Sequence, residues 1–155
     1  MKILVMSDSH DSRQRVLNAV ALESPEWILH LGDNISDTVD IKLMHPDIPL
    51  RFVRGNCDRF SAGLDIDEFV LEGKRFLMTH GHLFSVKLGK TKIIEEAVNR
   101  GVDILLFGHT HIPYYSVVDS LTILNPGSIG SSDKSYAVLE IKNGVVSCEL
   151  KTLNT

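Results

Sequence analysis

The chain has 155 residues, a length that suits one domain able to bury its own hydrophobic core. Hydrophobic residues make up 43% and charged residues 23%, as in ordinary globular proteins, which excludes a disordered chain. The formal net charge of −4 gives no global positive field for nucleic acid, and no apolar run approaches the ~20 residues of a membrane span.

The first half of the chain alternates short apolar runs with one helical pattern. Residues 3–6 predict a buried strand, and four apolar residues are too few for a signal peptide, so we expect a cytoplasmic protein. A helix is predicted at residues 13–22, with Ser12 as its N-cap. Further strands are predicted at 27–31 and 48–53, and the crossovers between them indicate a parallel sheet.

The second half is richer in strands. Residues 69–71 and 75–79 flank a turn and predict a hairpin, and Gly101 is the expected stop of a helix at 91–100. The remaining strands are predicted at 103–107, 114–118, 121–124, 136–141 and 145–150. An α/β front half and a β-rich back half predict two packed sheets with helices outside them.

Five of the apolar runs end in side chains that bind metals. These candidate ligands are Asp8 and His10, Asp33, Asn56, His80, and His109 and His111. Because the carboxyl ends of parallel strands form one crevice, we expect these side chains to converge on one edge. Residues i and i+2 of an extended chain point to the same side, which predicts that each Asp-x-His or His-x-His pair faces one ion.

The ligand types indicate the kind of metal. Aspartate, asparagine and histidine offer oxygen and nitrogen, a mixture that suits Mn, Fe, Ni or Zn better than Ca or Mg. Two ions about 4 Å apart need a shared ligand, and a carboxylate with two oxygens can serve as one.

The same residues fall into motifs that resemble those of the calcineurin-like metallophosphoesterases. The five motifs are Asp8-Ser9-His10, Gly32-Asp33-Asn34, Gly55-Asn56-Cys57-Asp58, His80-Gly81-His82 and Gly108-His109-Thr110-His111. The segment Asn125-Pro126-Gly127-Ser128 also resembles the small prokaryotic, YfcE-like phosphodiesterase branch. The resemblance therefore extends over nearly the whole chain.

This resemblance implies a fold, a cofactor set and a reaction. Residues 1–155 would form a single domain of the α/β class, a four-layer α/β/β/α sandwich of two mixed sheets flanked by helices. Two divalent ions would bind, with Mn the first choice and Ni, Fe or Zn the alternatives. Hydroxide bridging the two ions would attack the phosphorus of a small phosphodiester substrate.

The resemblance also divides the ligands between the two ions. Asp8, His10 and His111 would hold the first ion, whereas Asn56, His80 and His109 would hold the second. Asp33 would bridge both ions. Among these, Asp33, Asn56 and His80 are also expected to be catalytic.

Cys57 is where the chain departs from much of the family, and we count it as a candidate catalytic residue. Many relatives carry histidine there, which is thought to help protonate the leaving group. A thiol is a poorer proton donor and carries no positive charge, so we hypothesise activity on diesters with good leaving groups. The alternative is that Cys57 only packs against its neighbours.

Other polar residues near the motifs allow two interpretations each. Asp58 either orients a histidine or serves a turn, and His82 either lines the site or supports it from outside. Arg54 and Arg59 could clamp a phosphate, although a surface salt bridge is the simpler interpretation of each. His30 lies within an apolar strand and is expected to be a core histidine.

Three competing functions remain at this level. The chain could be a non-catalytic metal-binding scaffold, like a retromer subunit of similar fold, although all seven ligand positions hold competent side chains. It could hydrolyse another class of ester or amide. A nuclease of the same broad family is disfavoured, because such enzymes usually have extra capping domains and this short acidic chain has no room for one. We expect no nucleic-acid or membrane partner, and a homodimer or homotetramer stays open.

Overall fold

The computed structural model describes residues 1–154, which contain three α-helices and ten β-strands. The helices are α1 (Arg13–Glu23), α2 (Val39–Met44) and α3 (Thr91–Arg100). The strands are β1 (Lys2–Met6), β2 (Trp27–His30), β3 (Leu50–Phe52), β4 (Ile66–Leu71), β5 (Lys74–Thr79), β6 (Ile104–Leu106), β7 (Tyr114–Val118), β8 (Leu121–Asn125), β9 (Ser135–Lys142) and β10 (Val145–Thr152). Two short 3-10 helices lie at Ile35–Thr38 and His82–Phe84.

The strands form two mixed sheets of five strands each. The first has the order β10-β9-β1-β2-β3, in which β1, β2 and β3 are parallel and β9 and β10 are antiparallel. The second has the order β4-β5-β6-β8-β7, in which β5, β6 and β8 are parallel. The parallel strands therefore run to one edge of the first sheet and occupy the centre of the second, which has an antiparallel strand at each margin.

Three hydrophobic clusters define four layers. One cluster lies between the sheets and joins Ile3 and Val5 of β1 to Phe76 and Met78 of β5. Alternate residues of β1 point the other way and pack on α1 and α2, while α3 packs on the outer face of the second sheet. The predicted four-layer α/β/β/α sandwich is confirmed. Within residues 1–154, no helix has both the length and the apolar character that crossing a membrane demands.

The structure also corrects the element predictions. The 3-10 helix at Ile35–Thr38 and helix α2 were not predicted, because Ile41 is the only buried residue of α2 and no apolar stripe marks it. Strand β4 begins at Ile66, three residues before the predicted start. Ser12 occupies the N-cap position of α1, but its side chain makes no capping hydrogen bond.

A buried carboxylate ties the end of α1 to the first sheet. Glu23 is 5% exposed, and its side chain pairs with Lys2 at 2.8 Å and Lys151 at 2.7 Å. The Tyr136 hydroxyl donates a third contact at 2.7 Å. Burial would raise the pKa of Glu23, but the two lysines and the tyrosine outweigh it and lower the pKa to about 2.

We expect Glu23→Gln to lower the free energy of unfolding at pH 7 by about 3 kcal/mol, following the depressed pKa. The contribution is present above the ordinary glutamate pKa of about 4.5 and is lost as pH falls through about 2. Urea unfolding across this pH range measures it. The exposed Glu95→Gln is the matched control, and an equal loss at pH 7 and pH 2 would contradict the prediction.

Candidate metal centre

The predicted ligands converge where the parallel strands of both sheets end. Three overlapping groups of side chains bring their donor atoms within 4.8 Å of one another. The groups are Asp8, His10 and His111; His10, Asp33 and Cys57; and Asp33, His80 and His109. Asn56 joins them through Cys57, whose sulfur lies 3.6 Å from the Asn56 amide nitrogen. All seven predicted ligand residues thus lie at one edge of the sandwich.

One carboxylate oxygen of Asp8 faces the cluster, and the other accepts hydrogen bonds from neighbouring residues. Its Oδ2 accepts hydrogen bonds from the Ser7 hydroxyl and the His109 amide. Within residues 1–154 its Oδ1 has no hydrogen-bond partner of its own, yet it lies 3.0 Å from Nε2 of His111 and 3.8 Å from those of His10 and His80. Burial would raise the pKa of Asp8, but His111 and His80 outweigh it and hold the pKa below its usual range.

The two carboxylate oxygens of Asp33 also have different roles. Its Oδ1 accepts a hydrogen bond from the Cys57 amide at 2.9 Å. Its Oδ2 lies 3.4 Å from Nε2 of His80 and 3.9 Å from Nε2 of His10, between two of the three groups. Burial opposes ionisation, but contact with His80 and Cys57 holds the pKa of Asp33 well below its usual range. Both carboxylates are therefore charged at neutral pH.

The imidazoles are oriented with nitrogen atoms facing one another. Nδ1 of His80 donates to the Leu31 carbonyl at 2.7 Å, so its Nε2 faces the cluster. Burial opposes protonation of His80, but Asp33 and Asp8 outweigh it and raise the pKa of this imidazole. That Nε2 lies 3.1 Å from Nδ1 of His109, and His10 and His111 approach through their Nε2 atoms at 3.3 Å. Burial, then His80 and Lys87, lowers the pKa of His109 to about 4, so its ring is neutral at pH 7.

This donor set fits divalent metal ions. Two free carboxylate oxygens and four imidazole nitrogens face a common space, and the buried Oδ1 of Asn56 also has no hydrogen-bond partner. Buried polar atoms are normally paired, and facing lone pairs repel unless a proton or cation lies between them. The second nitrogen of His80 is fixed by a carbonyl, as is usual for metal-binding histidines.

The backbone at these positions is not extended, which corrects one prediction. Asp8, His10, Asp33, His109 and His111 all have φ between 43° and 68°, in the left-handed region. The i, i+2 argument therefore does not apply. His109 and His111 belong to different groups, whereas Asp8 and His10 do share one, as predicted, although not through an extended backbone.

Asp58 organises the loops and does not contact a histidine. Its buried carboxylate accepts backbone hydrogen bonds from Asp33, Asn34, Ile35 and Gly55 at 2.7–3.0 Å. The interpretation as a turn residue is the correct one of the two. A side chain at Gly55 would collide with the Asp33 carboxylate, so the two loops fit only with glycine there.

Sequence reasoning also missed three supporting residues. The Asn125 amide donates to the Gly108 carbonyl at 3.0 Å and the Thr110 hydroxyl at 2.9 Å, which fixes the loop carrying His109. The Ser128 hydroxyl donates to the Asp8 carbonyl at 2.8 Å, and the Ser7 hydroxyl to the Asp8 carboxylate. The only sequence feature that pointed to any of them was the segment Asn125-Pro126-Gly127-Ser128, and it gave no role to Asn125 or Ser128.

The remaining candidates are placed as follows. Cys57 is exposed, so it does not pack in a core, and burial and Asp33 raise the pKa of its thiol. Arg54 pairs with Asp65 at 2.9 Å, whereas Arg59 is exposed and pairs with no carboxylate in residues 1–154. His30 is a buried core histidine, as predicted, and lies 3.2 Å from the Ser9 hydroxyl.

Two cavities border the cluster. The arginine cavity, of about 330 Å³, reaches it at Asn56 and His82 and is also lined by Arg54, Arg59 and Asp65. The lysine cavity, of about 320 Å³, reaches it at Thr110, between two of the histidines. Its other walls include Lys87, Leu88, Lys90, Ile112 and Tyr114.

Comparison with known proteins gives a family match over most of the chain. A family model described as the calcineurin-like phosphoesterase superfamily domain matches residues 1–144. Probable metallophosphoesterase YsnB of Bacillus subtilis is 32% identical over 92% of this chain and 86% of its own. Phosphodiesterase YfcE of Escherichia coli K12 is 30% identical over 90% of this chain and 88% of its own.

Solved structures with the same architecture include a predicted phosphoesterase from Streptococcus pneumoniae TIGR4. It has a TM-score of 0.79 and 28% identity, covering 97% of this chain and 88% of that one. Zinc-bound Vps29 of Entamoeba histolytica has a TM-score of 0.75 and 23% identity, covering 97% and 98%. At that identity the second likeness shows the fold alone.

We expect Asp58→Asn to lower the free energy of unfolding by about 2–4 kcal/mol, because an amide would turn a donor toward backbone N–H groups that need an acceptor. The loop carrying Asp33 would lose its anchor, so affinity for added Mn²⁺ would fall as well. Urea unfolding and calorimetric metal titration measure the two effects. Asp47→Asn, in an exposed loop, is the matched control, and equal behaviour of the two variants would contradict the role given to Asp58.

Proposed function

The chain belongs to the calcineurin-like phosphoesterase superfamily, and from this membership we propose that it hydrolyses a small phosphodiester with the help of two divalent metal ions. The family predicted from the sequence motifs is thereby confirmed. The observation that carries the proposal is the pair of buried carboxylates, each with one oxygen held by the chain and the other facing imidazole nitrogens.

We assign the ligands to two ions on the basis of the observed groups. Asp8, His10 and His111 form the group for one ion, and His80 and His109 form the group for the other, with Asn56 nearby. Oδ2 of Asp33 lies between them and is the natural shared ligand. Mn²⁺ is our first choice of metal, with Ni²⁺, Fe²⁺ and Zn²⁺ as alternatives, because the donors are oxygen and imidazole nitrogen.

The chain would contribute position and charge to the reaction. Bound ions would offset the charge of the phosphate and lower the pKa of a coordinated water toward neutrality. His80 and Asp33 are fixed by the Leu31 carbonyl and the Cys57 amide, so they need little rearrangement to bind. The buried hydroxyls of Ser7 and Ser9 are engaged by the Asp8 carboxylate and the Asp33 carbonyl, and the pKa of the exposed Cys57 thiol is raised, so none of these three groups is a ready nucleophile.

A diester agrees with the shape of the site. A phosphodiester has two ester arms, and two cavities of about 320 and 330 Å³ border the donor cluster. A monoester would occupy only one of them. Each cavity is large enough for a sugar or aromatic group, since small-molecule sites begin at about 300 Å³.

We further propose a cytoplasmic location, which agrees with two unpaired thiols at Cys57 and Cys148. The homodimer or homotetramer stays a prediction. We expect neither nucleic acid nor a membrane as a partner.

The test is a metal titration of chelator-treated protein with paired substrates. Mn²⁺ should restore hydrolysis of bis(para-nitrophenyl) phosphate by more than about 100-fold and act less on para-nitrophenyl phosphate. Native mass spectrometry should show two bound ions. Asp33→Asn should lose at least about 100-fold in diester kcat/KM, because the shared ligand is weakened.

His45→Ala, at the C-terminal end of α2 and outside the three donor groups, is the control for His111→Ala, which should lose one ion and most of the activity. Two bound ions without turnover on either ester would contradict the proposed phosphodiesterase activity and indicate a metal-binding scaffold. Turnover of a carboxylic ester instead would indicate a different class of hydrolase.

We expect Cys57→His to raise kcat for diesters with poor leaving groups by about tenfold or more, because an imidazole can protonate the departing oxygen and a thiol of raised pKa cannot. A series of aryl leaving groups gives the slope of log kcat against leaving-group pKa. The wild-type slope should be the steeper one. Cys57→Ser controls for loss of the thiol alone, and identical slopes for all three proteins would show that this position takes no part in proton transfer.

A further inference from the structure

The lysine cavity combines two unpaired cations with apolar walls beside the metal centre. Lys87 and Lys90 form no ion pair with a carboxylate within residues 1–154, although the chain has more acidic than basic residues. Other lysines, such as Lys74 and Lys92, also lack a carboxylate partner within residues 1–154. What distinguishes Lys87 and Lys90 is that both line one cavity, where a ligand can meet the two charges together.

The position of each lysine is defined by its surroundings. Nζ of Lys90 lies 4.4 Å from the centre of the Tyr114 ring, a cation–π contact that holds the ammonium against the cavity wall. Lys87 lines the same cavity three residues earlier in the chain. Both cations are therefore available to one ligand.

The rest of the wall is apolar. At the rim of the cavity, Leu88 is 92% exposed and Ile112 is 68% exposed. Exposing such large aliphatic side chains to water is unfavourable. Phe107 and Val86 lie deeper and are buried. A ligand that covers the rim would remove this apolar area from water while meeting the two ammonium groups.

We propose that the lysine cavity selects the substrate, by binding an ester arm that has an apolar or aromatic body and carries an anionic group of its own. This inference rests on the proposed phosphodiesterase function and names the class of its substrate. The body packs on Leu88, Ile112 and Tyr114, and the anionic group is met by Lys87 and Lys90. Thr110 marks the point where the arm joins the phosphate at the metal centre.

The test compares two diesters with the same leaving group. Para-nitrophenyl phenyl phosphate and para-nitrophenyl para-carboxyphenyl phosphate both release nitrophenol, so a difference in kcat/KM reports the retained arm. We expect the carboxylated ester to be preferred by about tenfold in Mn²⁺-loaded protein at low salt. Raising the salt to 0.5 M, where screening acts within about 4 Å, should reduce the ratio.

Variants identify the groups responsible for the preference. Lys87→Met and Lys90→Met should each lower the ratio about threefold, and the double variant should bring it close to one. Lys74→Met is the matched control, because Lys74 lies at the start of β5, the opposite end of that strand from His80, and should keep the ratio of the wild type. A ratio near one in wild type, or one that the double variant leaves unchanged, would overturn the inference.

A binding measurement separates this inference from the proposed reaction. Calorimetry with para-carboxyphenyl phosphate and phenyl phosphate, the two monoester products, should show tighter binding of the carboxylated one, and the double variant should lose the difference. If neither diester is hydrolysed but this difference is present, the reaction is wrong and the cavity assignment stands. If both diesters are hydrolysed equally and the products bind equally, the reaction stands and the assignment is wrong.

Discussion

The structure depends on keeping two buried carboxylates charged and a short distance apart. Burying an ion is costly unless its oxygens are satisfied, and Asp8 and Asp33 meet this requirement only in part. One oxygen of each is held by backbone amides from a neighbouring loop, while the other faces imidazoles. Loops from both sheets must therefore approach closely, and the parallel strand ends of the facing sheets provide that approach.

Residues outside the donor groups hold the donor atoms in place. Asp58 binds four backbone amides, and Asn125 holds the loop that carries His109, so the donor geometry is set by hydrogen bonds outside the cluster. Such support lets the ligand atoms face one another in advance of any ion. Apart from Asn56, the walls of the two cavities are residues outside the proposed ligand set, so specificity would be left to these walls.

Sequence alone predicted the layered fold and the convergence of the ligands. Each candidate ligand follows an apolar run, and the carboxyl ends of parallel strands meet at one edge of a sheet. It failed where the outcome depends on non-local contacts. Nothing near Asp58 shows that three of its four partners are amides more than twenty residues away, and nothing near Lys87 shows that it shares a cavity with Ile112. The ligand backbone was predicted as extended, because side-chain alternation carries no information about the turn that follows a strand.

Those left-handed turns have a consequence for how such a protein can change over evolutionary time. A non-glycine residue at positive φ costs about 1 kcal/mol relative to glycine, and five of the ligand positions carry this conformation. The sheets do not need these side chains for their packing. Drift at His10 or His109 toward glycine would relieve this cost while removing an imidazole donor, so selection for activity is what maintains these two side chains. A descendant freed from that selection would keep the sandwich long after it had ceased to be an enzyme.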